Sequence, residues 1–395
     1  MSFFRIPFAL LFASCVLARA THADSNTPES PSCIVRSPMD YQVFQRNPAQ
    51  DALLPIVGSL REAANRPMQV RTRWVGAGPS LENWNDLVVL TAGQTDFRSA
   101  IRVPAGGWYR LEVRVQPVEA GAPVLAEAHV DHVGVGEVFV VCGQSNSANH
   151  AEERLESRTG RVAAFAGTSW QPCRDPQPGA SGNGGSFMPP FGDLLAERFG
   201  VPIGIVAAGV GATSVREWLP RGSRFPNPPT LLGNVVSLPN GEWESKGTLF
   251  DAFVRRLSAL GPRGFRAVLW HQGESDANQK DPTRTYPGDR YRASMELLIR
   301  ETSTALGWKP PWFVARASYH TPDDPGSDDL RDAQKALWDS GIALEGPDTD
   351  ALRGEYRDGG GKGVHFSGKG SREHARLWAE KVGPWLESQA KVLAR

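Results

Sequence analysis

Gly136-Glu137-Val138-Phe139-Val140-Val141-Cys142-Gly143-Gln144-Ser145-Asn146 is the stretch on which the reading of this chain turns. The β-branched and aromatic run Val138 to Val141 reads as a buried strand that stops at a glycine followed by three polar residues. A serine at the carboxyl end of a strand in a parallel α/β sheet stands where ligands bind and where nucleophiles are often placed. Ser145 is therefore the candidate nucleophile.

Downstream of this strand the pattern alternates between strand and helix. Pro190 to Arg198 is amphipathic and stops at Gly200, and Ile203 to Ala207 follows as a second buried strand. Leu249 to Leu260 predicts a helix ended by Gly261-Pro262, before the strand Ala267 to Trp270. Arg290 to Leu306 and Trp312 to Ala317 repeat the unit, and Asp328 to Trp338 precedes a last strand around Ile342 to Leu344. A final helix is expected from Ser371 to Val382, interrupted by Gly383-Pro384. Strands alternating with helices imply a parallel sheet covered on both faces. Ser169 to Ser186, rich in Pro, Gly and Ser, reads as a long surface loop of the kind that borders sites.

Upstream the texture differs. Residues 33–133 carry short alternating runs, such as Gln69 to Trp74, Leu87 to Leu90 and Trp108 to Val115, between Gly, Pro and Asn clusters. These predict an immunoglobulin-like β-sandwich accessory domain of about 100 residues; the competing reading is that the strands extend the catalytic sheet. Residues 24–32 read as a linker. Residues 1–23 combine Arg5, the apolar run Ile6 to Leu17 and small residues suited to cleavage, the pattern of a secretory signal peptide. Cys15 offers a rival, lipoprotein-like processing site.

Composition narrows the function. The chain has 395 residues, 40% hydrophobic and 22% charged, with Lys plus Arg and Asp plus Glu at 43 each. A balanced charge gives no field to gather nucleic acid or an anionic membrane surface, so a neutral or weakly charged partner is expected. Nothing after the signal is long and apolar enough to span a bilayer, and the expected location is secreted or periplasmic. Without Cys15 an odd set of three cysteines remains, Cys33, Cys142 and Cys173, allowing one disulfide at most. No Cys/His spacing resembles a zinc site, and neither a metal nor a cofactor is expected.

Every strand end carries polar residues: Gln144-Ser145-Asn146, then Gly209-Val-Gly211-Ala-Thr213, then His271-Gln272-Gly-Glu274-Ser-Asp276, with Val364-His365-Phe366-Ser367 beyond the last. A serine hydroxyl is a weak nucleophile and needs a base within hydrogen-bond reach. His365, before the final helix, is the candidate base, and His271 its competitor. Acyl transfer also needs donors aimed at the developing oxyanion. The backbone N–H groups of Ser145 and Gly211 and the side-chain amide of Gln272 are the candidates.

These four blocks, in this order from Val135 to Leu386, resemble the SGNH hydrolase superfamily, and within it the sialate O-acetylesterase-like carbohydrate acetylesterases. The Gly-x-Ser-x-Gly elbow of α/β-hydrolases is not matched, since Ser147 replaces its second glycine. The resemblance implies a three-layer α/β/α, flavodoxin-like fold over residues 134–395, a Ser145 nucleophile, a His365 base and an oxyanion hole at Ser145, Gly211 and Gln272. It implies removal of O-acetyl groups from a carbohydrate. One position departs: Lys362 stands three residues before the histidine, where the superfamily places an aspartate. Asp358, followed by three glycines that let the loop turn back, is the favoured substitute; Glu274, or a Ser-His dyad, are the alternatives. With the attached β-domain, the departure leaves a rival function, a carbohydrate-binding protein with decayed machinery; a third is an O-acetyltransferase that keeps the acyl-enzyme and passes the acetyl to another sugar. Trp218 and Trp270, near strand ends, could offer a sugar an aromatic platform.

Overall fold

The computed structural model describes residues 33–277 and 281–392. The expected signal peptide and linker, residues 1–32, lie outside the described residues.

Gly136 to Gly143 lie in the carboxyl half of one 18-residue strand, Ala126–Gly143. Its first half alternates buried and exposed residues, and from Val133 onward every residue is buried. An antiparallel sheet with one wet face requires the first pattern and a sheet covered on both faces the second. The first half pairs antiparallel with Gly106–Pro117. The second pairs parallel with Ile203–Ala207 on one side and Ala267–His271 on the other. The change of texture at 133/134 therefore marks a change in what covers the strand, not a break between domains.

Two sheets form the amino-terminal region. Cys33–Ser37, Asp51–Leu60 and Asp96–Pro104 make one; Met68–Val75, Asn85–Leu90, Gly106–Pro117 and the start of Ala126–Gly143 belong to the other. Leu54, Ile56, Phe97, Val70, Trp74, Leu111 and Val113 from both sheets share one core. The second sheet continues into the catalytic sheet through the shared strand, which corrects the expectation of a self-contained sandwich over 33–133. Buried Glu137 ties the region down, accepting from Arg46 Nε at 2.7 Å and Arg266 Nε at 2.6 Å.

In the α/β part the strand order is Trp170–Pro172, Val162–Phe165, Ile203–Ala207, Ala126–Gly143, Ala267–His271, Trp312–Arg316, Leu344–Asp348. All of these pair parallel except the edge strand Trp170–Pro172. Alternate side chains face opposite layers. Val138, Val140, Val268 and Trp270 pack with helices Thr248–Ser258, Gly288–Leu306 and Asp328–Asp339. Phe139, Val141, Ile205 and Leu269 pack with Met188–Phe199 and Gly368–Val392. The three layers expected are present.

The differences have local causes. Gly200 and Gly307 end their helices in the left-handed conformation at φ 66 and 70, but Gly383-Pro384 does not end the last helix, which runs from Gly368 to Val392. Proline removes one hydrogen bond, and the packing of Leu386 in the core and of Trp385 against Phe313, ring centroids 5.3 Å apart, carries the helix through it. The last strand begins at Leu344, where the sequence placed its end. Ser169 to Ser186 is not a surface loop: it holds a strand, and Cys173, Gln177 and Ser186 are buried. The Asn149 side chain pins it, donating to Gln177 O and Ala180 O and accepting from Gln177 N–H. Cys33, Cys142 and Cys173 are all free and buried, so no disulfide joins them.

Candidate active site

The chain runs from the Ala126–Gly143 strand to neighbours on one side, then crosses to Ala267–His271 on the other. At such a reversal the carboxyl ends of adjacent strands splay and leave a crevice. Here it is a cleft of about 550 Å³ lined by Ser145, His150, Gly211, Glu274, His320 and His365, among others.

Ser145 opens a single 3₁₀ turn directly after the strand. Gly143 makes this turn possible: its φ is 126, and a Cβ there would lie 2.1 Å from the carbonyl oxygen of His271. Only glycine allows so close a backbone approach. The residues flanking Ser145 lock the neighbouring loops. Gln144 Oε1 accepts from Ser275 N–H at 3.0 Å, and Asn146 Nδ2 donates to Glu274 Oε1 at 2.8 Å and to Val364 O at 3.2 Å.

Asn146 thereby fastens the loop that carries His365. That loop turns back through Gly359 and Gly360, both at positive φ. It brings Asp358 Oδ2 to 3.5 Å from His365 Nδ1, while Asp358 Oδ1 accepts the His365 backbone N–H at 3.1 Å. Buried Arg357 braces the loop by donating to Val364 O, Leu352 O and Thr349 O. The structure thus unites Ser145, Gly211 and His365 in one cleft, with Asp358 behind the histidine.

Glu274 also lines the cleft but is engaged by Asn146, and its nearest histidine is His271, with Nδ1 3.8 Å away. His271 is 1% exposed and its Nε2 lies 2.8 Å from Thr349 Oγ1. Burial holds its imidazole below the ordinary range, the mark of a neutral packing residue beneath the cleft.

Gln272 lies beneath it too. It is wholly buried, and its amide donates to Asp276 Oδ2 at 2.6 Å, Thr213 O at 3.1 Å and Gln144 Oε1 at 3.3 Å. Two amide protons shared among three acceptors leave none for an oxyanion. Trp218 and Trp270 are core residues, edge to face at 5.5 Å, and neither is a sugar platform.

Residues the sequence reading passed over complete the walls. His150 stacks on His365 with ring centroids 5.3 Å apart, and its Nε2 lies 3.1 Å from Ser181 Oγ. Ser181 Oγ in turn accepts the Gly211 backbone N–H at 2.7 Å. Burial, then the neighbouring His365, lower the His150 pKa. His320 pairs with Asp324, Nδ1 to Oδ2 2.9 Å, on another wall. Leu231 reaches the rim from the loop between Arg224–Phe225 and Val235–Ser237, two strands of a small sheet completed by Trp243–Ser245. The signal for His150 was its place four residues after Asn146; Ser181 had only its glycine-rich loop.

A family model for carbohydrate esterases, sialic acid-specific acetylesterase, matches residues 135–382, a span holding Ser145, Gly211, Asp358 and His365. Among solved structures, a carbohydrate acetylesterase from Xanthomonas citri is similar at 20% identity, over 86% of this chain and 72% of that one, TM-score 0.48. A protein from Arabidopsis thaliana is similar at 18% identity, over 62% and 96%, TM-score 0.43. A Corynascus thermopiles carbohydrate esterase family 2 enzyme with a carbohydrate binding domain is similar at 12%, over 89% and 99%, TM-score 0.36. No curated protein matches.

Proposed function

The chain belongs to the sialic acid-specific acetylesterase family of carbohydrate esterases, and on that premise we propose that it removes O-acetyl groups from a carbohydrate through an acyl-enzyme on Ser145. The observation that carries this reading is that His365 lines one cleft with Ser145 while the Asp358 carboxylate stands beside its ring. In this reading Ser145 Oγ attacks the acetyl carbonyl carbon while His365 takes its proton. The tetrahedral oxyanion is met by the Ser145 backbone N–H. Collapse breaks the ester bond, and His365 returns the proton to the departing sugar oxygen. Water, activated by the same histidine, then adds to the acyl carbon and releases acetate. Asp358 keeps the His365 ring oriented and stabilises the imidazolium formed at each step.

A cleft of about 550 Å³ suits a monosaccharide unit with its acetyl group. The substrate is an acetylated sialic acid or an acetylated polysaccharide, and the signal-like segment at residues 1–23 supports a secreted or periplasmic protein acting on it. Lys362 first suggested decayed machinery; Asp358 beside His365 supports an active enzyme instead.

The test compares wild type with Ser145→Ala for acetate release from an aryl acetate, an O-acetylated sialic acid and acetylated xylan. Wild type should release acetate from at least one, and a fluorophosphonate should label Ser145. Equal acetate release by the two proteins on all three refutes the reading. Acetylated sugar in excess of free acetate would assign transfer rather than hydrolysis.

A further inference from the structure

An N–H that serves an oxyanion hole should face the substrate with its proton available. The Gly211 N–H does not: it donates to Ser181 Oγ at 2.7 Å. The same oxygen lies 3.1 Å from His150 Nε2. Ser181 and His150 both line the cleft with Ser145. A hydroxyl has two acceptor lone pairs and one proton to give. With Nε2 of His150 protonated, Gly211 and His150 fill both lone pairs, and the Ser181 O–H proton is left to point elsewhere.

We propose that Ser181 is an oxyanion donor of this enzyme, its hydroxyl passing the polarity of the Gly211 N–H on to the carbonyl oxygen of the substrate, with His150 as the residue that positions it. The proposal rests on the serine-esterase reading given above. Two N–H groups donating into one oxygen polarise its O–H, so the donor is strongest when negative charge develops opposite it. A neutral His150 is required for this arrangement beside His365, which becomes an imidazolium during the reaction. Burial and the adjacent His365 both favour the neutral form. The geometry also accounts for glycine at 211. A Cβ there would lie 2.7 Å from His150 Nε2 and 2.9 Å from its Cε1, displacing the ring that holds Ser181.

Ser181→Ala isolates the hydroxyl, because the Ser181 backbone bonds remain: its N–H to Gly209 O and its O from Asn149 N–H, both 2.9 Å. Wild type, Ser145→Ala, Ser181→Ala and Ser181→Thr are compared for kcat and KM on an aryl acetate. Inhibition by a trifluoromethyl ketone, which forms an oxyanion on the nucleophile, is the second measurement. Ser181→Ala should lower kcat roughly 100-fold with KM nearly unchanged, and weaken the inhibitor by a similar factor. Ser181→Thr, which keeps a hydroxyl, should restore most of both. His150→Ala should lower kcat in the same direction, with KM nearly unchanged. Folded Ser181→Ala with wild-type kcat and inhibitor affinity overturns the role, making the hydroxyl a cap that substrate displaces from Gly211. Wild type no more active than Ser145→Ala on this ester, on an O-acetylated sialic acid and on acetylated xylan alike overturns the esterase reading itself, and the Ser181 role with it.

Discussion

His365 Nδ1 lies 3.5 Å from Asp358 Oδ2, and the other oxygen of the same carboxylate accepts the His365 backbone N–H. One aspartate thus sets both where the histidine sits and how its ring turns. The position three residues before His365, where the superfamily pattern has its acid, is Lys362. The Gly359-Gly360-Gly361 turn makes up the difference by bending the chain back so that a residue seven positions away reaches the ring.

Asp358→Asn should therefore lower kcat by roughly 100- to 10,000-fold while the protein stays folded. The amide oxygen can still accept the His365 backbone N–H, whereas its NH₂ cannot stabilise an imidazolium. Steady-state hydrolysis of an aryl acetate measures this. Activity within a few-fold of wild type would assign the histidine to a dyad.

Gly211→Ala should lower kcat at least about tenfold without unfolding the chain, because the added methyl meets the His150 ring and not backbone. Paired measurements of kcat and thermal unfolding separate the two effects. Glycine-like kinetics in the alanine variant would show that His150 moves aside at no cost to the reaction.

Gln272→Ala should act on stability. It leaves the buried Asp276 carboxylate and Thr213 carbonyl each short of a donor, a loss of about 1–3 kcal/mol by denaturant unfolding. The kcat of the folded variant should stay within about tenfold of wild type. A 1,000-fold loss of kcat at unchanged stability would return Gln272 to the oxyanion hole.

Glu217 supplies a pH signature away from the cleft. Burial pushes its carboxyl up to about 7, against hydrogen bonds from Ser214 N–H and Asn234 that lower it. The unfolded chain releases this proton near 4.5 and the folded one holds it to about 7, so its contribution to stability falls as pH rises between the two and stays low above. Glu217→Gln removes that loss. The stability of the variant relative to wild type should rise between about pH 5 and about pH 8, by on the order of 2–3 kcal/mol. A difference independent of pH in urea unfolding would contradict it.

Much of this was legible in the chain because it is written in local patterns. Val138 to Val141 announces a buried strand by its side chains, and Gly200 and Gly307 end helices through their own conformational freedom. Pro384 was misleading for the same reason: a local rule says stop, and distant contacts of Trp385 and Leu386 outweigh it. Gln272 resembled a donor by residue type, and only its neighbours Asp276 and Thr213 show its protons already engaged.

The sequence by itself determined the parallel strand-helix framework, Ser145 at the end of its central strand and His365 ahead of the last helix, since periodicity and turn chemistry act over a few residues. The tertiary structure alone decided that Asp358 reaches His365, that Ser181 meets the Gly211 N–H, and that Ala126–Gly143 belongs to both regions at once. Those relationships depend on where loops far apart in the chain are brought together by packing, and no local pattern encodes a distance across a cleft.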